Sequence, residues 1–334
     1  CILETLALSI YNYDCAVASA ASRMTIAAHG RPCVDFGARR AHEQAAVAAA
    51  RASVVGGFVG TSDLEAGMRY GIPTVGTSAH SFTLLHDSEE DAFAAQVASL
   101  GPGTTILVDT YDIARGVERA VKAARDAGGE LGAVRLDSGD LVAEAFKVRA
   151  QLDALGATTT KITVTNDLDE YAIAGLGAAP VDSYGVGTKL VTGSGRPTAA
   201  LVYKLVERAG SDGQMHQVAK FSEGGKATVG GRKWAGRVAG ADGSAVEELV
   251  ISAREQDEAL AALSEAKARP LQIDLVCNGV IVEEHRGPQA LAAAAERHQA
   301  SRAELPYDAW RLSEGEPAVP TRHLDLDGRS PLQG

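Results

Sequence analysis

The sequence predicts an α/β protein built on a β/α barrel or partial barrel, followed by a second, β-containing region. Between residue 33 and about 205, short β-branched or glycine-bounded runs alternate with alanine-rich amphipathic stretches, the order expected of a parallel sheet with helical crossovers. Beyond about residue 205 the texture changes to glycine-interrupted strand-like pieces, "MHQVAKFSEGGKATVGGRKWAGRV" and "DLVCNGVIVEEH". The composition agrees: 334 residues, 46% hydrophobic and 22% charged, are enough to bury a sizeable core, and no apolar run is long enough to cross a bilayer.

Taken in order, "ILETLALSIYNYD" reads as helix, with neither the basic start nor the small-residue cleavage site of a signal peptide. Because the first residue is Cys1 rather than methionine, the chain is expected to lack its true N-terminus. Seven candidate strands follow: "CVDFG", "VVGGFVG", "PTVGTS", "TTILVDT", "LGAVRLD", "KITVTN" and "VDSYGVG". In "DIARGVERAVKAARDAG", Ile113, Val117, Val121 and Ala124 share one face, Asp112 can cap the start and Gly128 can end the helix. "AHEQAAVAAARAS" and "DLVAEAFKVRAQLDALG" carry similar apolar stripes, and a last alanine-rich helix is expected around 288–303. The tail from Pro306, rich in proline and charge, is expected to wrap the surface or fray. The expected division is a connecting N-terminal remnant over 1–30, the barrel over 31–205 and the second region over 206–334.

A formal charge of −11 argues against general attraction to nucleic acid, though local cations can still hold an anionic ligand. Cys1, Cys15, Cys33 and Cys277 form no C-x-x-C pair, which fits free thiols in a reducing compartment and predicts a cytoplasmic protein.

Barrel chemistry gathers where strands end and βα loops begin. Those ends offer Phe36, Arg39 and Arg40; Thr61, Ser62 and Asp63; Thr77, Ser78 and His80; Asp109, Thr110 and Asp112; Arg135, Asp137 and Ser138; Asn166 and Asp167; and Gly185, Gly187 and Thr188. Such a ring suits a phosphorylated ligand with a divalent cation. "GVGT" can present amides and a hydroxyl to phosphate, although ordinary tight turns share that pattern. "ILVDTYD" lacks the glycine-threonine loop of the other phosphoribosyl-binding pattern, so Asp109 and Asp112 read first as turn and cap residues. In "VRLDSGD", Arg135 and Asp137 stand two apart and point to one side; Arg135 can bind a carboxylate, or the pair can be a salt-bridged strand end. His80 lies in no zinc-binding spacing, and no residue is assigned as a metal ligand. A neutral imidazole there is a competent nucleophile toward the γ-phosphoryl group of ATP. A Schiff-base aldolase would need a lysine at a strand end, and Lys161 begins its strand while Lys189 follows the glycine turn.

Together, "VDFGARRAHE", "GFVGTSDLEAG", "GIPTVGTSAHSF", "LVDTYD", "VRLDSGDL", "TNDLDE", "YGVGTKLVT" and "LVYKLVE" resemble, in order, the nicotinate phosphoribosyltransferase family, over about residues 1–240. The resemblance implies a type II phosphoribosyltransferase fold, an irregular α/β barrel with a second α/β domain formed by N- and C-terminal segments. It also implies condensation of nicotinate with 5-phosphoribosyl-1-diphosphate to nicotinate mononucleotide and diphosphate, coupled to ATP hydrolysis, in NAD salvage. ATP and Mg2+ are the implied cofactors, and a homodimer with a shared active site is the implied assembly.

By match to the family motifs, His80 is the histidine phosphorylated by ATP, Thr77 and Arg135 contact nicotinate, and Thr188 contacts the phosphoribosyl diphosphate. Asp137 is expected to stabilise positive charge on the ribosyl ring. Phe36 is expected to face the pyridine, and Arg39, Asn166, Asp167 and Gly187 to serve the phosphoribosyl group. The family also carries a further N-terminal segment with an aromatic residue stacked on the pyridine. An inward-pointing Asp63 would keep nicotinamide as an alternative substrate, and a non-catalytic NAD-metabolite sensor on the same scaffold is the other alternative.

Overall fold

The computed structural model describes residues 2–220 and 229–326, so Cys1 and part of the strand-like stretch after Met215 lie outside the described residues. The chain divides into two compact units, one of Ile10–Ala199 with Gly287–Ala295 and one made from the remaining segments.

The first unit holds six parallel strands: β1 (Cys33–Asp35), β2 (Gly60–Thr61), β3 (Thr105–Leu107), β4 (Ala133–Leu136), β5 (Lys161–Val164) and β6 (Ser183–Val186). Their order is β2-β1-β6-β5-β4-β3, so the first strand pairs with the last, Val34 opposite Gly185, and the sheet curls on itself. The curl stops between Thr74 and β3, which leaves a half-barrel. The expected strand "PTVGTS" contributes only a parallel bridge from Thr74 to Thr61. Pro73 has no N–H to donate, so its carbonyl accepts from Thr61 and Val75 donates back before Gly76 releases the chain into a loop.

Helices lie between the strands: α1 (Ile2–Ala27), α2 (Glu43–Val55), α3 (Leu64–Tyr70), α4 (His80–Leu84), α5 (Glu89–Leu100), α6 (Ile113–Asp126), α7 (Leu141–Ala154), α8 (Glu170–Gly175) and α9 (Thr188–Val191). Aspartates cap four of them: Asp63, Asp112, Asp140 and Asp169 each accept from backbone N–H groups of the first turn. In α6 the predicted face is the buried one, with Val117, Val121 and Ala124 inward, each valine contributing about 1.5–3 kcal/mol of burial. Gly116 permits the close approach, since a Cβ there would stand 2.3 Å from the Val108 carbonyl oxygen. Gly128, at φ +78°, follows the helix end as expected. β4 is buried on both faces, as a strand covered by helices must be.

The second unit carries a four-stranded sheet. Its strands are β9 (Lys233–Ala239), β10 (Ala245–Ser252), β11 (Ala268–Pro270) and β14 (Thr321–Asp325), in the order β11-β9-β10-β14. Two hairpins complete it, β7 (Glu207–Ala209) with β8 (Met215–Gln217), and β12 (Val276–Cys277) with β13 (Val280–Ile281). Helix α10 (Gln256–Glu265) covers a core of Leu249, Ile251, Ala259 and Leu263. Helix α11 (Gly287–Ala303) is the expected alanine-rich one. The tail does not simply wrap or fray. Thr321–Asp325 pairs in parallel with β10, anchored by Leu324 on the core and by Arg322, whose Nε and Nη2 reach the Glu247 carboxylate at 2.7 and 2.9 Å.

Among the described residues no helix is long and apolar enough to cross a membrane. Burial pushes the Cys33 thiol up to about 12, whereas Cys277 is exposed. Iodoacetamide near pH 8 is therefore expected to alkylate Cys277 in the folded protein and Cys33 only after denaturation, as read by mass spectrometry.

Candidate functional site

The site begins where β1 ends. Asp35 is fully buried, and its Oδ1 accepts from the Gly37 N–H at 2.7 Å while its Oδ2 accepts from the Thr61 hydroxyl at 2.7 Å. Burial pushes this carboxyl up, and the two hydrogen bonds oppose the shift. The brace ties β1 to β2 and sets the peptide that projects Phe36. Asp63 does not present a free carboxylate to a ligand: its Oδ1 accepts from the Ala66 N–H at 2.9 Å as the cap of α3.

Arg135, at the end of β4, is the hub. Its Nε donates to Thr165 Oγ1 at 2.8 Å, Nη1 to Thr77 Oγ1 at 2.7 Å and Nη2 to Asp137 Oδ1 at 2.9 Å. The guanidinium carbon stands 5.4 Å from the centroid of the Phe36 ring, within cation–π range. Gly185 on β6 makes room for that ring, because a Cβ there would lie 2.5 Å from Phe36 Cδ2. Three strand ends and the loop after Thr74 thus converge on one planar cation, with donors on Nη1 and Nη2 left for a ligand.

Asp137 also accepts from the Thr165 hydroxyl. Burial raises its carboxyl pKa, but the Thr165 hydrogen bond and the Arg135 cation outweigh that and hold it below the ordinary 3.8. Such a group adds stability above its unfolded value, and the contribution is lost as pH falls through the lower folded value. Asp137→Asn is therefore expected to be less stable than wild type at pH 7, with the gap in melting temperature closing as the pH is brought below about 4.

His80 opens α4 and faces this pair. Its Nδ1 lies 3.1 Å from Thr110 Oγ1, and its Nε2 lies 4.0 Å from Asp109 Oδ1 and 3.9 Å from Asp137 Oδ2, too far for hydrogen bonds. An Nδ1–H donated to Thr110 leaves the Nε2 lone pair toward the two carboxylates. Asp109 is itself built in: its Oδ2 accepts from the Asp137 N–H at 2.9 Å and the Ser138 hydroxyl at 2.7 Å. Its Oδ1 is buried with no hydrogen-bond partner.

Two adjoining cavities result. One, of about 310 Å³, is lined by Phe36, Arg39, Thr77, His80, Arg135 and Asp137, among others. The other, of about 390 Å³, shares Phe36, Arg39, Arg135 and Asp137 and adds Asn166, Asp167, Gly187 and Thr188. The predicted residues are thus brought together, with His80 and Thr188 in neighbouring chambers and Arg135 common to both. Asn166 and Asp167 both have positive φ, at 99° and 39°, and such strain clusters at working sites.

Two supporting residues, Asp35 and Thr165, were not singled out by sequence reasoning. Asp35 and Thr165 act through pairings of 26 and 30 residues' separation that no local pattern announces. Asp109 and Thr110 follow β3 in "LVDT", and the strand-end rule draws attention to both without indicating a partner.

Comparison with known proteins places the chain. A model of the nicotinate phosphoribosyltransferase (NAPRTase) family matches residues 32–223. The nicotinate phosphoribosyltransferase pncB1 of Mycobacterium tuberculosis is 50% identical over 331 residues, covering 97% of this chain and 70% of that protein. The nicotinate phosphoribosyltransferase of Bacillus subtilis is 40% identical over 239 residues, 70% of this chain and 48% of that protein. The fold is also that of the human nicotinic acid phosphoribosyltransferase, with a TM-score of 0.75 at 23% identity over 97% of this chain and 74% of that one.

Proposed function

We propose, from the premise that the chain belongs to the nicotinate phosphoribosyltransferase family, that it joins nicotinate to 5-phosphoribosyl-1-diphosphate, releasing nicotinate mononucleotide and diphosphate in NAD salvage. The carrying observation is the guanidinium of Arg135, fixed against Phe36 by Thr77, Thr165 and Asp137 in a chamber of about 310 Å³. Its remaining donors match a carboxylate, and the ring of Phe36 offers a face to a pyridine. A carboxylate on the remaining Nη1 and Nη2 donors forms charge-assisted hydrogen bonds that a neutral amide cannot, which favours nicotinate over nicotinamide.

In the second chamber, Arg39, Asn166, Asp167, Gly187 and Thr188 are assigned to the phosphoribosyl group. The pyridine nitrogen forms its bond to ribose C1 as the C1–O bond to diphosphate breaks, and the Asp137 carboxylate faces the positive charge that builds on the ring. Mg2+ is the cation proposed to accompany the diphosphate. No cluster of three or more His, Cys, Asp or Glu side chains able to hold a metal occurs among the described residues, but magnesium takes few protein ligands. The unpartnered Asp109 Oδ1 and the Asp137 Oδ2 are the oxygens that fit it. Bound there, the ion would neutralise charge on the leaving diphosphate.

ATP coupling is assigned to His80. Nε2 attacks the γ-phosphorus, ADP leaves, and water later cleaves the phosphohistidine to free phosphate. A cytoplasmic homodimer sharing its active sites is the proposed working form. The test is a stoichiometric assay of the full chain with nicotinate, 5-phosphoribosyl-1-diphosphate and Mg2+, with and without ATP. Equal formation of nicotinate mononucleotide and diphosphate, enhanced by ATP, is expected. Ligand binding without diphosphate release would make the protein a sensor instead.

A further inference from the structure

We propose that Glu170 is a positioning residue that braces, from behind, the two loops forming the walls of the second chamber, and so sets the affinity for 5-phosphoribosyl-1-diphosphate. This rests on the assignment of that chamber to the phosphoribosyl group.

Glu170 begins α8 and is 3% exposed, a charged side chain with no access to either chamber's ligand. Its Oε1 accepts from Arg23 Nε on α1 at 2.7 Å, and its Oε2 accepts from the Ser194 hydroxyl at 2.6 Å. Both carboxylate oxygens are therefore held, one by a cation and one by the turn that follows α9. Burying such a group is costly unless it is paired, and pairing fixes the geometry of everything attached to it.

What is attached is the chamber wall on two sides. Upstream of Glu170, Asn166 and Asp167 line the chamber in left-handed backbone conformations, and Asp169 holds the next turn by accepting from the N–H groups of Tyr171 and Ala172. On the other side, Gly187 and Thr188 line the chamber and lead through α9 into Gly193, Ser194 and Gly195, three successive residues with φ of 59°, 57° and 89°. Serine is rarely held in that region, and the hydroxyl bond to Glu170 supports the turn together with the backbone bonds from Gly195 to Thr192 and from Arg196 to Gly193.

The same helix that supplies Arg23 steadies α9 itself. Tyr13 donates from its hydroxyl to the Val191 carbonyl at 3.0 Å, and Gly193 is close enough to α1 that a Cβ there would sit 3.3 Å from Ala16 Cβ. At the end of α9, the Thr192 hydroxyl donates back to the Thr188 carbonyl at 2.8 Å. Glu170 thus joins three segments, residues 166–169, residues 188–195 and α1, at a point none of them reaches alone. The contacts that hold Phe36, Thr77 and Arg135 do not include Glu170. Phe36 and Arg135 border both chambers, but Asn166, Asp167, Gly187 and Thr188 line the second and not the first, so a change at Glu170 is directed mainly at one substrate.

Glu170→Gln keeps an acceptor for Ser194 but loses the charge that holds Arg23, and Ser194→Ala removes the hydroxyl bond while leaving the carboxylate paired. Each is expected to raise the KM and the calorimetric Kd for Mg2+-5-phosphoribosyl-1-diphosphate about tenfold, with the KM for nicotinate changed by less than about twofold. Adding Arg23→Gln to Glu170→Gln is expected to cost little more, because the contact is already gone. If both KM values rise together, or neither moves in the folded Ser194→Ala protein, the brace is only structural and the proposal fails. A wild-type chain that binds the sugar diphosphate but makes no nucleotide would overturn the reaction and leave the brace to the Kd ratio. A wild-type chain that does not bind it overturns both.

Discussion

His80→Ala is expected to lose ATP hydrolysis and every ATP-dependent gain in nicotinate mononucleotide, while keeping a slow condensation that needs no ATP. The separation follows from the geometry. His80 Nδ1 is engaged with Thr110, whereas Nε2 faces the chamber between Asp109 and Asp137, so one ring nitrogen is held and the other is presented. The contacts assigned to nicotinate run through Arg135 and Thr77, which do not depend on the imidazole. Removing the ring therefore takes away the proposed acceptor of the γ-phosphoryl group and is expected to spare the binding of the other reactants. The ATP-linked rate should fall at least about 10²-fold, the scale of losing a covalent nucleophile. Parallel measurement of ADP release and nucleotide formation decides it, with acid-labile phosphate on the wild-type protein as the positive control. ATP cleavage that still keeps step with product in His80→Ala would remove the histidine from the coupling altogether.

If Nε2 carries a phosphoryl group as proposed, the two carboxylates beside it would call for a cation. A phosphoryl group placed on that nitrogen would bring negative charge within about 4 Å of Asp109 and Asp137, a repulsion of about 4 kcal/mol per pair at an effective dielectric near 20. Asp109 is committed to the turn at Asp137 and Ser138 and cannot swing away. Its Oδ1, buried without a hydrogen bond, would gain a partner from a bound ion.

The parts of the site legible in the sequence were those with local punctuation. Strand ends followed by polar loops picked out Phe36, His80, Arg135, Asp137 and Thr188, and the two-residue spacing of Arg135 and Asp137 placed both on one side of β4, where they are hydrogen-bonded. The cap at Asp112 was readable for the same reason. Asp35, Thr165 and Glu170 were not, because each works through a partner dozens of residues away that only the curl of the sheet brings near. β14 was missed because one leucine and one arginine anchor it, a signal too sparse for any periodicity. "PTVGTS" was read as a full strand because its β-branched residues outweighed Pro73 and Gly76, which in the structure limit it to a bridge.

Arg135→Lys is expected to leave a folded protein whose kcat/KM with nicotinate is lower by about 10²-fold or more, mainly through KM. Lysine keeps the charge but has one nitrogen, and a single ammonium cannot serve Thr165, Thr77 and Asp137 at once while also meeting a carboxylate. It also forfeits the planar contact 5.4 Å above Phe36 that keeps ring and cation in register. Arg135→Ala goes further: Asp137, whose side chain is 24% exposed, loses its cation, and the cost in stability should fall below the 3–5 kcal/mol typical of a fully buried orphan, at about 2 kcal/mol. The pair of variants separates binding from folding. If the guanidinium selects the acid, preference for nicotinate over nicotinamide should narrow in both, because the lysine variant loses the two-nitrogen pairing with a carboxylate and the alanine variant loses the charge as well. Melting temperatures together with competition kinetics on the two pyridines provide the check. An unchanged KM for nicotinate in the folded lysine variant would mean that the carboxylate is held elsewhere and that Arg135 only ties the strand ends together.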